Sequence, residues 1–238
     1  MTAGESLVPG SVNFRDVGGL PAGEGRTRSG VLYRSGNLAA VDELGGAAFR
    51  ALGVRRIVDL RDDDEVEHAP SRVGDVETLR VPLFLGSLAS FFLEDMTLIE
   101  MYRALLERAG DRLVTAVRGI LGAQPVLVHC TVGKDRTGVT VALALAAVGV
   151  DEDAVIADYA RTEGMLPAWR NEQALARMRA VYPHARNLEE LASRSPAHVM
   201  RTILDEIRAQ HGSAAGFLHA HGLRDDELAD LRRVLIEE

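Results

Sequence analysis

The chain has 238 residues, 47% hydrophobic and 26% charged, a composition that builds one core of ordinary size and lies far from disordered or fibrous classes. Its formal net charge of -8 argues against broad electrostatic binding to nucleic acid or an anionic membrane, so an anionic ligand needs a local basic pocket. The one cysteine, Cys130, excludes an internal disulfide framework, cysteine zinc fingers and Cys-x-x-Cys redox chemistry.

The N-terminal stretch has no basic region followed by an apolar one, as a secretory signal would, and a cytoplasmic protein is expected. Turns around Gly18, Gly19, Gly23 and Gly25 lead into a β-type run at Val31 to Tyr33. Asp42 is a plausible N-cap for a helix in which Leu44, Ala48 and Leu52 recur at helical spacing until Gly53. Three short apolar runs read as buried strands: Arg56 to Leu60, Leu79 to Leu83, and Pro125 to His129. Helical patterns cover Leu98 to Arg108, Arg112 to Leu121 and Arg136 to Val148, and from about Asp151 the chain reads as wholly helical. The apolar run from Val139 to Val150 falls short of the roughly 20 residues that a spanning helix needs, so no stable membrane insertion is expected. Alternating strands and helices predict an α/β fold with a mostly parallel sheet flanked by helices, and no linker divides the chain, so residues 1–238 form one expected domain.

Residues 129–138 read His-Cys-Thr-Val-Gly-Lys-Asp-Arg-Thr-Gly, between a strand and a helix. In an open α/β sheet, ligands bind outside the carboxyl ends of strands, where a helix N-terminus offers free amides and a positive dipole end. The natural occupant is an anion. Five residues between Cys130 and Arg136 let the loop curl round a tetrahedral oxyanion, with the Arg136 guanidinium closing the ring and Gly133 supplying the bend. The same surroundings favour a reactive thiolate, so Cys130 is the expected nucleophile and a cysteinyl phosphate the expected intermediate. His129, on the opposite strand face, is expected to orient the loop by hydrogen bonds, and Thr137 to donate its hydroxyl to the departing thiolate. A nucleotide-binding P-loop fails at Val128 and Asp135, where that motif wants Gly and Ser or Thr. A merely buried strand-end cysteine is the bland alternative, disfavoured by the company of Gly133, Lys134, Arg136, Thr137 and Gly138.

His129 to Gly138 matches the HCxxGKDRTG form of the cysteine-dependent phosphatase signature, and Asn13 to Gly19 (NFRDVGG) resembles the N-terminal motif of bacterial atypical tyrosine phosphatases. Similarity extends through Tyr33 to Gly36, Val58 to Arg61, Asp158-Tyr159 and Gly212 to Leu228. The resemblance implies the tyrosine phosphatase fold, no metal or other cofactor, and a phosphotyrosine-bearing protein as substrate, with phosphoserine, phosphothreonine or phosphoinositides also accepted. It makes Thr131, Val132, Gly133, Lys134 and Asp135 the amide cradle round the phosphate held by Arg136. For the general acid, Asp59 at a strand end is the first choice and Asp135 the second, followed by Asp62 to Asp64 and Asp95. Lys134, the only lysine among 27 basic residues, is expected at the pocket rim, where it would touch a second phosphate. Residues 84–110 carry enough apolar side chains to be core helices or a lid. Arg15 and Asp16 are expected to pair and hold the first turn, Trp169 and Met178 to face the core, and His219-Ala-His221 to be incidental. Sulfurtransfer and a non-catalytic phosphate-binding module are the competing functions, and the oligomeric state has no signature in the sequence.

Overall fold

The computed structural model describes residues 6–83 and 94–238. Its central sheet has five strands in the order β1 (Arg15–Asp16), β4 (Leu32–Ser35), β7 (Val126–His129), β5 (Arg56–Asp59) and β6 (Glu77–Arg80). Only β1 runs antiparallel to its neighbour, and the other four strands are parallel. Every residue of β4 and β7 is buried, as parallel strands covered on both faces require. Successive side chains of β7 point to opposite faces. Leu127 packs with Phe14, Tyr33, Phe49 and Ile57 beneath helix α1 (Glu43–Ala51). Val126 and Val128 join the larger cluster, which includes Leu113 and Val117 of α3 (Leu98–Gly122) and Val139 and Leu143 of α4 (Asp135–Ala147). The central position of β7 places its last residue, His129, level with Ser35 on one side and Asp59 on the other. Any ligand at that edge therefore meets three strand ends at once.

The chain departs from expectation in several places. The apolar run from Leu79 to Leu83 forms strand only over Glu77–Arg80, because Pro82 has no amide for the ladder; Val81 and Leu83 enter the core beyond the strand. The two expected helices between 98 and 121 are one helix, kinked at Ala109 beside Gly110, where the His221 ring sits too close to admit a Cβ. Leu98, Met101, Tyr102 and Leu105 of this helix are buried, so residues 98–110 are core, while 84–93 of the suggested lid lie outside the described residues. The first β run extends to Ser35, because Arg34 buries its charge against a distant aspartate. After α5 (Glu152–Met165), α6 (Ala168–Val181), α7 (Leu188–Ser193), α8 (Ala197–His211), α9 (Ala214–Ala220) and α10 (Asp225–Leu235), the chain ends in strand β8 (Ile236–Glu237), not helix. β8 pairs with β3 (Gly25–Thr27), which in turn pairs with β2 (Pro21–Ala22), forming a small second sheet. Among the described residues no helix is long and apolar enough to cross a membrane.

Candidate active site

Residues 130–134 form a loop from the end of β7 to the first turn of α4. Cys130 is 2% exposed, and the Gly133 amide donates to its Sγ at 3.2 Å. Gly133 adopts φ 74°, and a Cβ there would lie 2.3 Å from the Ser35 carbonyl, so both backbone conformation and space demand glycine. The loop's carbonyls are tied outward. Thr131 O accepts from the amide and the Nδ2 of Asn37, and Gly133 O accepts from Asn13 Nδ2 at 2.9 Å and Arg34 Nη2 at 3.0 Å. Asn13 sits in the left-handed region at φ 59°, which asparagine tolerates, and Arg15 donates to its Oδ1, turning its amide nitrogen toward the loop. With carbonyls held outward and α4 lacking a side-chain N-cap, the loop amides are left for an anion.

Arg136 lies beside this concavity, and its Nη1 and Nη2 each donate to one oxygen of Glu65 at 2.6 Å. Glu65 also accepts from the Thr131 hydroxyl and the Asp62 amide, completing the capping box of α2 (Asp63–His68). Burial alone would raise the Glu65 carboxyl, yet the Arg136 hydrogen bonds and charge hold it at about 2. Burial opposes the Arg136 charge as well, but Glu65 and Cys130 together raise its pKa above the ordinary arginine value.

A second buried network braces the loop from behind. Asp158 receives Arg15 Nε at 2.8 Å and Arg34 Nη1 at 2.7 Å, and despite burial these two cations hold its carboxyl at about 2. Arg15 therefore pairs with Asp158 and not with its neighbour, since β1 turns alternate side chains to opposite faces. Asp16 caps the turn instead, accepting from the amides of Gly18 and Gly30.

Lys134 is 1% exposed, and its Nζ donates to Asp135 Oδ1 at 2.6 Å; it lies inside the fold and not at the rim. The same Oδ1 accepts from the Tyr102 hydroxyl at 2.8 Å, which in turn meets the Tyr159 hydroxyl. Burial pushes the pKa of both phenols up, so they stay neutral. Asp59 has both oxygens on Arg61, at 2.9 Å and 2.7 Å, and Arg61 with His129 holds its carboxyl below the usual range in spite of burial. His129 Nδ1 lies 3.2 Å from its neighbour's carbonyl at Cys130, while Nε2 has no hydrogen-bond partner among the described residues and burial keeps the ring neutral. Thr137 Oγ1 is likewise buried without a partner among the described residues. Of the later acid candidates, Asp62 is a helix cap, Asp63 pairs with Arg80, Asp95 caps the Arg186-Asn187 turn, and Asp64 is exposed in the first turn of α2.

Trp169 is 62% exposed, contrary to its expected core position, because α6 presents no fully buried residue. Met178 packs against the core. His219 and His221 face separate carboxylates, Asp225 and Asp111, and among the described residues no group of three or more His, Cys, Asp or Glu could hold a metal ion.

A model described as the tyrosine phosphatase family matches residues 7–237. The chain belongs to that family. This phosphatase is 30% identical to the triple specificity protein phosphatase PtpB of Mycobacterium tuberculosis, covering 96% of this chain and 98% of that one. It is also 35% identical to a putative tyrosine-protein phosphatase of Cupriavidus necator over 70% of this chain and 65% of the other. Among solved structures, the core catalytic domain of the PP-IP phosphatase SIW14 from S. cerevisiae aligns over 85% of this phosphatase and 97% of its own chain, with TM-score 0.40 and 16% identity. The chain is thus a cysteine-dependent phosphatase, a phosphoric monoester hydrolase. Sequence reasoning missed Glu65, although Asp62 followed three residues later by glutamate is a capping-box signature. Arg61 and Tyr102 were also missed, and neither has a local signal.

Proposed function

We propose that this phosphatase hydrolyses phosphotyrosine in proteins, and phosphoserine, phosphothreonine or phosphoinositides at the same site. Cys130 Sγ attacks phosphorus in line, the S–P bond forming as the ester P–O bond breaks. Arg136 and the amides of Thr131 to Asp135 hold the equatorial oxygens. The leaving oxygen takes its proton from Asp135, not from Asp59. The Asp59 side chain is 4% exposed with both oxygens held by Arg61, whereas that of Asp135 is 20% exposed, adjoins the cradle and is engaged by Lys134 and Tyr102 through Oδ1, which leaves Oδ2 to carry the proton. A water then gives its proton back to Asp135 as its oxygen attacks phosphorus, and the S–P bond breaks to release phosphate, with Thr137 Oγ1 donating to the departing thiolate.

One observation carries this reading: a loop whose Thr131 and Gly133 carbonyls are tied outward, closed by an arginine held bidentately at 2.6 Å by Glu65. Sulfurtransfer gives no reason for such a clamp. The triple specificity named for PtpB supports a substrate range wider than phosphotyrosine. The test is phosphate release from p-nitrophenyl phosphate and a phosphotyrosine peptide, blocked by vanadate and abolished in Cys130→Ser. Turnover persisting in that variant overturns the mechanism.

A further inference from the structure

We propose that Tyr102 is a positioning residue for the proton transfer: its hydroxyl, backed by that of Tyr159, fixes the Asp135 carboxyl so that Oδ2 presents the proton to the leaving oxygen. The inference rests on the reading of Asp135 as the general acid and adds to it two tyrosines far away in the chain.

Three helices meet at this carboxyl. Asp135 is the first residue of α4, Tyr102 lies in α3 and Tyr159 in α5. Asp135 Oδ1 receives Lys134 Nζ at 2.6 Å and the Tyr102 hydroxyl at 2.8 Å. Two donors fill the two lone pairs of that oxygen, so a proton on the carboxyl goes to Oδ2. Tyr102 has one hydroxyl proton and gives it to Asp135, so Tyr159 is the donor across the 2.9 Å between the two phenols. The hydroxyls therefore run in one direction, from Tyr159 through Tyr102 to Asp135.

The phenols are held where they stand. Both residues are 0% exposed, and their rings meet edge to face, with centroids 6.2 Å apart at 81°. Tyr159 also lies against Gly138 of α4, where an added Cβ would stand 3.1 Å from the ring. Its neighbour in α5 is Asp158, the carboxylate that holds Arg15 and Arg34, so one turn of helix braces both the loop and the acid. Lys134 supplies charge, but an ammonium on a flexible four-carbon stem donates in many directions, whereas a phenol on a fixed ring has its direction set. Phenylalanine at both positions would fill the same space, so packing alone gives no reason for the hydroxyls. They end on a carboxylate that is open to solvent, with its side chain 20% exposed against 1% for Lys134. A general acid needs its oxygen within about 2.6 to 3.2 Å of the atom it protonates, which a freely rotating carboxyl does not ensure.

The experiment measures kcat and KM of the full chain on p-nitrophenyl phosphate and on phenyl phosphate, aryl esters of similar shape of which the second has the leaving group that needs a proton. Wild type is compared with Tyr102→Phe, Tyr159→Phe, Asp135→Asn and the Tyr102→Phe, Asp135→Asn double variant. Tyr102→Phe is expected to lower the ratio of kcat on phenyl phosphate to kcat on p-nitrophenyl phosphate by roughly 10-fold, a part of the about 10² to 10⁴ that a general acid contributes, with the effect in kcat and not in KM. Tyr159→Phe should lower the same ratio less, by about 3-fold, because Tyr102 keeps its own hydroxyl. In the double variant the ratio should equal that of Asp135→Asn alone, since no acid is left to position. A ratio untouched by Tyr102→Phe, or a further loss in the double variant, overturns the proposal, and a lowered ratio in Asp135→Asn then keeps the acid in place. Asp135→Asn without effect on the ratio overturns acid and proposal together, and wild type inactive on both esters overturns the phosphatase reading as well. If Tyr102→Phe does not fold, Tyr159→Phe decides, and an unchanged ratio there overturns the proposal.

Discussion

The phosphate loop and helix α6 are held on opposite terms. Around the loop, each charge meets a buried or half-buried partner, and the carbonyls of Thr131 and Gly133 are fixed by side chains from β4, the β4–α1 turn and the N-terminal segment. Along α6 no residue is fully buried, Trp169 stands in solvent and Arg170 has no partner among the described residues. Stabilising developing charge on a phosphoryl group needs dipoles that are already oriented, because reorganisation during the reaction raises the barrier. The protein places that demand on its core, and α6, with no fully buried residue, carries none of it.

The most severe way to break this contrast is to neutralise Asp135, the proposed proton donor, inside the rigid half. Asp135→Asn is expected to lower kcat on phosphotyrosine by about 10² to 10⁴, and less on p-nitrophenyl phosphate, whose leaving group needs little protonation. Equal losses on both substrates would remove Asp135 from that role. Asp158→Asn leaves Arg15 and Arg34 uncompensated in the interior, and about 3 to 5 kcal/mol of folding stability should go with it, read as a lower urea midpoint.

Glu65 gives a subtler handle. Its carboxyl lies at about 2 when folded against an ordinary 4.5, so its contribution to stability is fully present above about pH 4.5 and is lost as pH falls toward 2. The difference in thermal midpoint between wild type and Glu65→Gln should shrink over that window, and a difference constant with pH would show that the Arg136 pair is not its source. The smallest effect belongs to α6. Trp169→Ala should change stability by no more than about 0.5 kcal/mol, and the emission of this single tryptophan should be that of a solvated indole. A blue-shifted emission would mean that α6 is more closely packed than the loop comparison holds.

Much of the candidate site could be read in residues 129–138, because the proposed cradle, nucleophile and clamp all lie within one strand-loop-helix connection and their spacing follows from covalent geometry. The α1 cap at Asp42, the strands at 56 and 126 and the helix after the loop follow for the same reason: periodicity and capping are local. The errors have a common form. Lys134 was expected at the rim because a compact ammonium where every other basic residue is arginine suggested contact with a second phosphate, but it is buried and its charge is met by Asp135. Asp59 qualified as an acid by its place at a strand end, until Arg61, two residues on, took both of its oxygens. Arg15 meets Asp158 across 143 positions, and Arg136 meets Glu65 across 71.

By itself, then, the sequence determined the class of chemistry and the α/β layering, since both are written in patterns shorter than about one strand and one helix. Only the tertiary structure decided which carboxylate holds which cation. Charge pairing depends on distances of a few ångström between segments far apart in the chain, and those distances exist only once the core has packed.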